Sequence, residues 1–144
     1  MNKVYIVTGA SGHLGSTITR MLVSEGRTVR ALVLPTEKNL PEGAEILYGD
    51  IRDTETIKPC FENALDDEMI VIHCAGIVSI ASKTSKLMHE VNVGGTKNII
   101  GLCKEYNVHR FVYVSSVHAI PEKPRGEVIT EVKQFSPLGF SGIA

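Results

Sequence analysis

The stretch Thr8-Gly9-Ala10-Ser11-Gly12-His13-Leu14-Gly15 follows a short β-branched run and precedes a segment with apolar residues at helical spacing. Glycine at the first of the three glycine positions permits a tight turn out of a strand. The second lets backbone approach a pyrophosphate, and the third lets the helix pack closely. The helix N-terminus then offers free amides and a positive dipole end to phosphate groups. The stretch therefore predicts a strand–turn–helix unit that cradles a pyrophosphate, in preference to a glycine-rich turn without a ligand.

Strand-like and helix-like segments alternate along the rest of the chain. Apolar and β-branched runs predict strands over residues 4–8, 28–34, 46–48, 69–73 and 110–115. Apolar periodicity predicts helices over residues 13–26, from an N-cap at Thr54 to near Leu65, and over residues 85–106. This alternation indicates an α/β fold with a doubly wound parallel sheet, the Rossmann fold, with about five strands in the order 3-2-1-4-5.

Composition limits the class of protein further. The 144 residues suit one domain, with residues 121–144 mostly loop or irregular tail, and the net charge of −1 gives no basic field for nucleic acid. The three cysteines and five histidines have no metal-ligand spacing, and the cysteines indicate a reducing compartment. The N-terminus is no signal peptide, and no apolar run reaches the roughly 20 residues that span a bilayer. We therefore expect a cytoplasmic protein with neither a metal nor a membrane partner.

Four more motifs follow in the order that a known family has them. They are Gly49-Asp50-Ile51-Arg52-Asp53, His73-Cys74-Ala75-Gly76, Val91-Asn92-Val93-Gly94-Gly95-Thr96 and Tyr113-Val114-Ser115-Ser116. Together with the G-x-x-G-x-x-G spacing after Thr8, they resemble the extended branch of the short-chain dehydrogenase/reductase superfamily, the NAD-dependent epimerases and dehydratases. The resemblance covers residues 3 to about 120, which is the cofactor half of that family.

The resemblance implies that the chain binds NAD or NADP and assigns a role to individual residues. Asp50 would face the adenine amino group, Ile51 would pack on the adenine ring, and Asn92 would support the middle of the long helix. Ser116 stands at the position of the catalytic serine. The implied cofactor-binding residues are Gly9, Ser11, Gly12, His13, Leu14, Gly15, Asp50, Ile51, Cys74, Ala75, Gly76, Asn92 and Val114.

Each of these assignments has a simpler alternative. Asp50 could cap the helix near Thr54, Asn92 could be an ordinary polar residue on a helix, and Ser116 could be an ordinary strand-end serine. We expect His73 to be a buried histidine with satisfied hydrogen bonds rather than a base, and Cys74 to be a small core residue rather than a nucleophile.

The catalytic pair of the family, Tyr-x-x-x-Lys, does not occur in this sequence. Its four tyrosines are each followed, four residues later, by something other than lysine: Gly9, Arg52, Arg110 and Val117. We therefore expect a chain truncated at the C-terminus that binds a dinucleotide without catalysis on its own. The alternatives are an active oxidoreductase or epimerase completed by a partner chain, and a dinucleotide-sensing regulatory or scaffold protein.

Two further expectations concern the cofactor and the partner. An acid at the end of the second strand would favour NAD, but Val33 or Leu34 stands there, and Thr36 and Lys38 follow, so the sequence leans to NADP. The predicted fifth strand, residues 110–115, lies at the predicted sheet edge, and its residues 111–114 are apolar on both faces. An exposed edge of this kind invites pairing, so we expect a homodimer or a partner subunit there.

Overall fold

The computed structural model describes residues 2–62, 68–78, 85–116, 119–120 and 123–133. In this part of the chain, five parallel strands form one sheet in the order β3-β2-β1-β4-β5, which confirms the predicted doubly wound fold and its strand order. The strands are β1 (Lys3–Thr8), β2 (Thr28–Val33), β3 (Glu45–Tyr48), β4 (Glu68–His73) and β5 (Arg110–Tyr113).

The first helix, α1 (His13–Ser24), begins directly after Gly12 and ends before Gly26, whose φ is +71°. The apolar residues whose helical spacing predicts this helix are Leu14, Ile18, Met21 and Leu22, but Leu14 and Met21 are exposed. Gly15 must face inward, since it packs on the backbone of the preceding turn. Residues three, four, seven and eight positions later share that face. The buried side of α1 is accordingly made by Gly15, Ile18, Thr19, Leu22 and Val23.

The second helix, α2 (Thr54–Ile57), is shorter than predicted and begins differently. Asp53 is the N-cap, and its carboxylate accepts from the Glu55 amide, so neither Thr54 nor Asp50 caps this helix. Asp53 is still extended, which lets its side chain turn back over the first turn, whereas Thr54 is already helical. A 3₁₀ turn, Lys58–Cys60, contains Pro59 and continues the helix. The predicted end near Leu65 lies outside the described residues.

The long helix matches its prediction at both ends but not in the middle. Ser85 is the N-cap and accepts from the Met88 amide at 3.1 Å, as the start at residue 85 predicts. The helix then runs as α3 (Lys86–His89), a π-helical segment (Glu90–Gly95) and α4 (Thr96–Glu105). The sequence pattern did not predict the π-helical segment, a feature often found at functional sites.

Two apolar clusters cover the two faces of the sheet. One face of β1 and β2 packs against α1 through Val7, Val29, Ala31 and Val33. The opposite face packs against α2, its 3₁₀ turn and α4, with Ile6, Val71, Phe61, Ile57 and Ile99 fully buried. Burial of this area is the main favourable term in folding. The pairing of β1 with β4 places the carboxyl ends of these strands side by side, with Thr8 opposite His73.

The fifth strand ends two residues earlier than predicted. Its paired residues stop at Tyr113, opposite His73, although the Val114 amide still donates to the His73 carbonyl at 3.1 Å. In the described part of the chain β5 is a sheet edge, and Val112, Tyr113 and Val114 are 42%, 51% and 37% exposed.

The two neighbouring glycines of the π-helical segment give a matched test of this packing. A Cβ at Gly95 would collide with the side chain of Ile51, whereas a Cβ at Gly94 would meet nothing within 4 Å. We expect Gly95→Ala to lower the free energy of unfolding by about 1–3 kcal/mol, as overpacking does. Gly94→Ala should be neutral or stabilising by up to about 1 kcal/mol. Urea denaturation measures both, and a Gly95→Ala chain as stable as the Gly94→Ala chain would contradict this packing.

Candidate cofactor-binding site

The turn between β1 and α1 is so tightly packed that only glycine fits at its ends. Gly9 has a φ of +64°, and a Cβ there would lie 2.8 Å from the Cα of Ala75. A Cβ at Gly15 would collide with the Gly9 carbonyl. The Gly9 carbonyl also accepts from the Gly12 amide at 3.0 Å, which closes the turn. The turn is therefore held between the loop after β4 and the first turn of α1.

The N-terminus of α1 keeps open hydrogen-bond donors. Gly12, its N-cap, is extended and has no side chain to cap the helix. Within the described residues, no carbonyl or side chain accepts from the amides of Ser11, His13 or Leu14. The Ala10 amide, in contrast, donates to the Leu32 carbonyl at 3.3 Å. Unpaired amides at a helix N-terminus bind anions such as phosphate.

A cavity of about 320 Å³ lies beside these amides. It is bounded by the β1–α1 turn, the end of β2, the segment after β3, the loop after β4 and the start of the long helix. Eight of the predicted cofactor-binding residues line it together: Gly9, Ser11, Gly12, Asp50, Ile51, Cys74, Ala75 and Gly76. Burial raises the pKa of the Cys74 thiol, which opposes a role as nucleophile.

The other predicted site residues do not line this cavity. His13 and Leu14 are exposed in the first turn of α1, while Gly15 is buried behind it. Val114 follows β5, and the Ser116 carbonyl accepts from the Ala119 amide at 3.0 Å. Asn92 does not line the cavity either, but its side chain is hydrogen-bonded to the loop that does. Its Oδ1 accepts from the Ile77 amide at 2.7 Å, and its Nδ2 donates to the Ile77 carbonyl at 2.9 Å.

The Asp50 carboxylate is held by a neighbour on the same loop. Its Oδ1 accepts from the amide and Nε of Arg52, and its Oδ2 accepts from Nε and, at 2.6 Å, from Nη2. The side-chain hydrogen bond from Arg52 lowers the pKa of Asp50 below its usual range. The Arg52 Nη1 also lies 4.0 Å from a carboxylate oxygen of Glu90. Arg52 thus links the segment after β3 to the π-helical segment.

Sequence reasoning missed several residues that line the cavity. Arg52 occupies the variable position of the Gly-Asp-Ile-x-Asp motif, so the motif itself pointed to its neighbourhood. Glu37 follows the end of β2 by four residues, and the turn in which its amide donates to the Leu34 carbonyl brings it to the cavity. Leu87 and Val91 come from the start of the long helix. Val91 opens the Val91–Thr96 motif, so that motif pointed to its neighbourhood, whereas Leu87 belongs to no motif.

His73 stands at the centre of a chain of hydrogen bonds behind the cavity. The backbone groups at the two ends of this chain determine which atom donates in each hydrogen bond. The Thr8 Oγ1 accepts from the amides of Cys74 and Ala75, at 3.2 and 3.1 Å, so its proton is directed to the His73 Nδ1, 2.6 Å away. The Nε2 must then carry the imidazole proton and donate to the Thr96 Oγ1, 3.0 Å away. The Thr96 hydroxyl donates to the Asn92 carbonyl at 2.7 Å. We call this chain (Thr8, His73, Thr96, Asn92) the polar relay.

The polar relay requires a neutral imidazole. Burial lowers the pKa of His73 from 6.5 to about 4, and the rings of Phe111 and Tyr113 lie 6.1 and 5.8 Å from the imidazole. His73 is therefore a buried histidine with both nitrogens hydrogen-bonded, as the sequence predicts, and its imidazole is neutral near neutral pH.

Two further features are absent from the described residues. No group of three or more histidine, cysteine or acidic side chains there is placed to hold a metal ion. Likewise, none of the helices described is long and apolar enough to cross a membrane.

The strand order and the crevice at the carboxyl ends of the strands define a doubly wound domain of Rossmann type. The chain belongs to the 3-beta hydroxysteroid dehydrogenase/isomerase family, whose profile matches residues 6–137. This confirms the resemblance to the short-chain dehydrogenase/reductase superfamily.

Known relatives match this chain over only part of their own length. It is 34% identical to sterol demethylase protein B of Methylococcus capsulatus, covering 84% of this chain and 37% of the relative. It is 32% identical to mouse 3 beta-hydroxysteroid dehydrogenase type 7, covering 85% and 35%. The crystal structure of Thermus thermophilus UDP-glucose 4-epimerase complexed with NAD matches at a TM-score of 0.76 and 31% identity, over 89% of this chain and 42% of that one. The chain thus spans little more than a third of these two sequence relatives.

The protonation of His73 should make stability depend on pH. Its pKa is about 4 in the folded chain against an ordinary 6.5, so the contribution of the neutral imidazole is complete above pH 6.5 and is lost as the pH falls from 6.5 to 4. We expect the free energy of unfolding to fall by about 1 kcal/mol per pH unit in that window. His73→Gln should flatten this dependence, whereas His89→Gln, at an exposed position, should keep it. Urea denaturation at several pH values tests this, and equal pH dependence in both variants would contradict it.

Proposed function

We propose that this chain binds NAD, with the pyrophosphate on the open amides of Ser11, His13 and Leu14. The observation that carries this proposal is that the N-terminus of α1 has donors without acceptors in the described part of the chain. These donors lie beside a cavity, on a turn whose backbone leaves no room for a Cβ at Gly9 or Gly15. The residues fit a dinucleotide, because anionic groups bind where amides and the helix dipole converge. The solved Thermus structure, 31% identical, holds NAD.

We further propose that these residues do not catalyse turnover by themselves. Bound NAD would supply a hydride acceptor, but proton transfer in this family needs a tyrosine activated by a lysine, and the sequence contains no Tyr-x-x-x-Lys pair. Ser116 would orient the reacting group of a substrate once such a pair is present. Ser116 follows β5 in the chain, after its carboxyl end, and the carboxyl ends of the parallel strands lie on the same side of the sheet as the cavity. This position supports the role. Completion by a partner chain and dinucleotide sensing are the alternatives.

The choice of NAD over NADP rests on Glu37. The sequence leans to NADP because no acid stands at the end of β2, but Glu37 lines the cavity just beyond that strand end. A carboxylate there would repel a 2′-phosphate and accept hydrogen bonds from a ribose hydroxyl. Leu34, the residue after β2, offers neither charge nor hydrogen bond from its side chain.

Replacing Gly12 tests the pyrophosphate site. A Cβ at Gly12 would lie 3.2 Å from the Gly9 carbonyl oxygen. Gly12 stands between Ser11 and His13 and lines the cavity, so a leucine side chain there would take up space next to the open amides. We expect Gly12→Leu to weaken NADH binding at least about 100-fold, because phosphate contacts at a helix N-terminus are lost. Titration followed by NADH fluorescence measures the affinity. The control is Gly101→Ala in α4, where a Cβ meets nothing within 4 Å. Unchanged affinity in a folded Gly12→Leu chain would refute this site.

Replacing Glu37 tests the cofactor preference. We expect the parent chain to bind NADH more tightly than NADPH, and Glu37→Gln to reduce that ratio by about tenfold through loss of one charge repulsion. Glu42→Gln, at an exposed position outside this cavity, should leave the ratio unchanged. Tighter binding of NADPH by the parent chain would show that the preference runs the other way.

The exposed fifth strand supports a separate proposal, that a second copy of this chain pairs with it. Val112, Tyr113 and Val114 present apolar surface next to unpaired strand edge in the described part of the chain. We expect sedimentation velocity at micromolar concentration to show a dimer, and Val112→Lys to convert it to a monomer. A monomeric parent chain at these concentrations would contradict the homodimer, and a different partner subunit would then be the remaining candidate.

A further inference from the structure

The loop after β4 forms one wall of the cavity and is held at both of its ends. At its start, the amides of Cys74 and Ala75 donate to the Thr8 hydroxyl. At its end, the backbone of Ile77 makes two hydrogen bonds with the Asn92 side chain. Between them, a Cβ on Gly76 would lie 3.3 Å from the Asn92 Oδ1, so the loop is pressed closely against Asn92. This wall comprises residues 74–77, all of which line the cavity.

The two residues that hold the loop, Thr8 and Asn92, come from different parts of the fold. Thr8 is the last residue of β1, directly before the phosphate-binding turn, whereas Asn92 lies in the π-helical segment. His73 and Thr96, the two middle residues of the polar relay, link Thr8 to Asn92. His73 accepts a hydrogen bond from Thr8 and donates one to Thr96. The Thr96 hydroxyl donates to the Asn92 carbonyl.

Thr96 is the point at which this link can be cut with the smallest change. Its hydroxyl has two roles, accepting from His73 and donating to Asn92. Without the hydroxyl, the His73 Nε2–H would have no acceptor, and a buried donor left without a partner costs the full desolvation of that group. The neighbouring groups would have to shift to find a new partner, and Asn92 is the group that the wall depends on.

We infer that His73 and Thr96 are positioning residues that hold the 74–77 wall in the geometry that NAD requires. Neither side chain lines the cavity, and both act through Thr8 and Asn92. The polar relay makes the β1–α1 turn and the loop after β4 move as one unit, so the two sides of the cavity keep their spacing. The inference rests on the proposed binding of NAD, but the wall itself can be tested without it.

The experiment compares three variants of the full chain. Thr96→Val removes the hydroxyl at nearly constant volume, whereas Thr96→Ser keeps it. Ile99→Val, in the buried face of α4, lowers stability without touching the polar relay. Native-state hydrogen exchange reports on the Ile77 amide, with the Val71 amide in β4 as an internal reference. NADH titration then reports on affinity.

We expect Thr96→Val to lower protection of the Ile77 amide, relative to that of Val71, by about tenfold or more. NADH affinity should fall about tenfold, as for one lost buried hydrogen bond. Thr96→Ser and Ile99→Val should retain both. A folded Thr96→Val chain with unchanged Ile77 protection, or with reduced protection and unchanged NADH affinity, would overturn the inference.

Two further results separate this inference from the proposed function. If the parent chain binds no NADH, the proposed function fails, and hydrogen exchange still decides whether Thr96 holds the wall. If Thr96→Val does not fold, the imidazole ¹⁵N signals of His73 in the parent chain decide. A proton on Nε2 supports the polar relay, and a proton on Nδ1 at neutral pH overturns it.

Discussion

The contact between Gly15 and the Gly9 carbonyl is the constraint on which the rest of this structure depends. It brings the first turn of α1 against the backbone of the preceding turn more closely than any side chain would permit. Because α1 starts there, with Gly12 as an N-cap that has no side chain, the first amides of the helix stay open. The same contact decides which face of α1 is buried, and so leaves Leu14 and Met21 exposed.

The cavity follows from the topology of the sheet. In a doubly wound sheet the chain leaves β1 and β4 toward helices on opposite faces, which opens a crevice at their carboxyl ends. Here that crevice is lined by the β1–α1 turn on one side and residues 74–77 on the other. The polar relay joins these two sides through hydrogen-bonded groups, of which Thr8 and His73 are fully buried and Thr96 and Asn92 half-buried. A hydrogen-bonded network of this kind adds rigidity.

Most of the fold and part of the site could be predicted from the sequence. Glycine spacing and the alternation of elements predicted the sheet order, and the motifs predicted eight residues of the cavity lining, since these depend on local backbone requirements. The π-helical segment, the capping by Asp53 and the arrival of Glu37 at the cavity could not be predicted. Each depends on how separate segments pack, as when Gly95 accommodates Ile51, and a one-dimensional pattern contains no such information.

The central claim is that the amides at the start of α1 hold a diphosphate. The most direct measurement is the change in amide ¹H–¹⁵N chemical shifts as NAD is added to the full chain. We expect the Ser11, His13 and Leu14 amides to shift and saturate together, while amides at the far end of α1, such as that of Ser24, stay unchanged. Saturating NAD that leaves those three amides unshifted would contradict it.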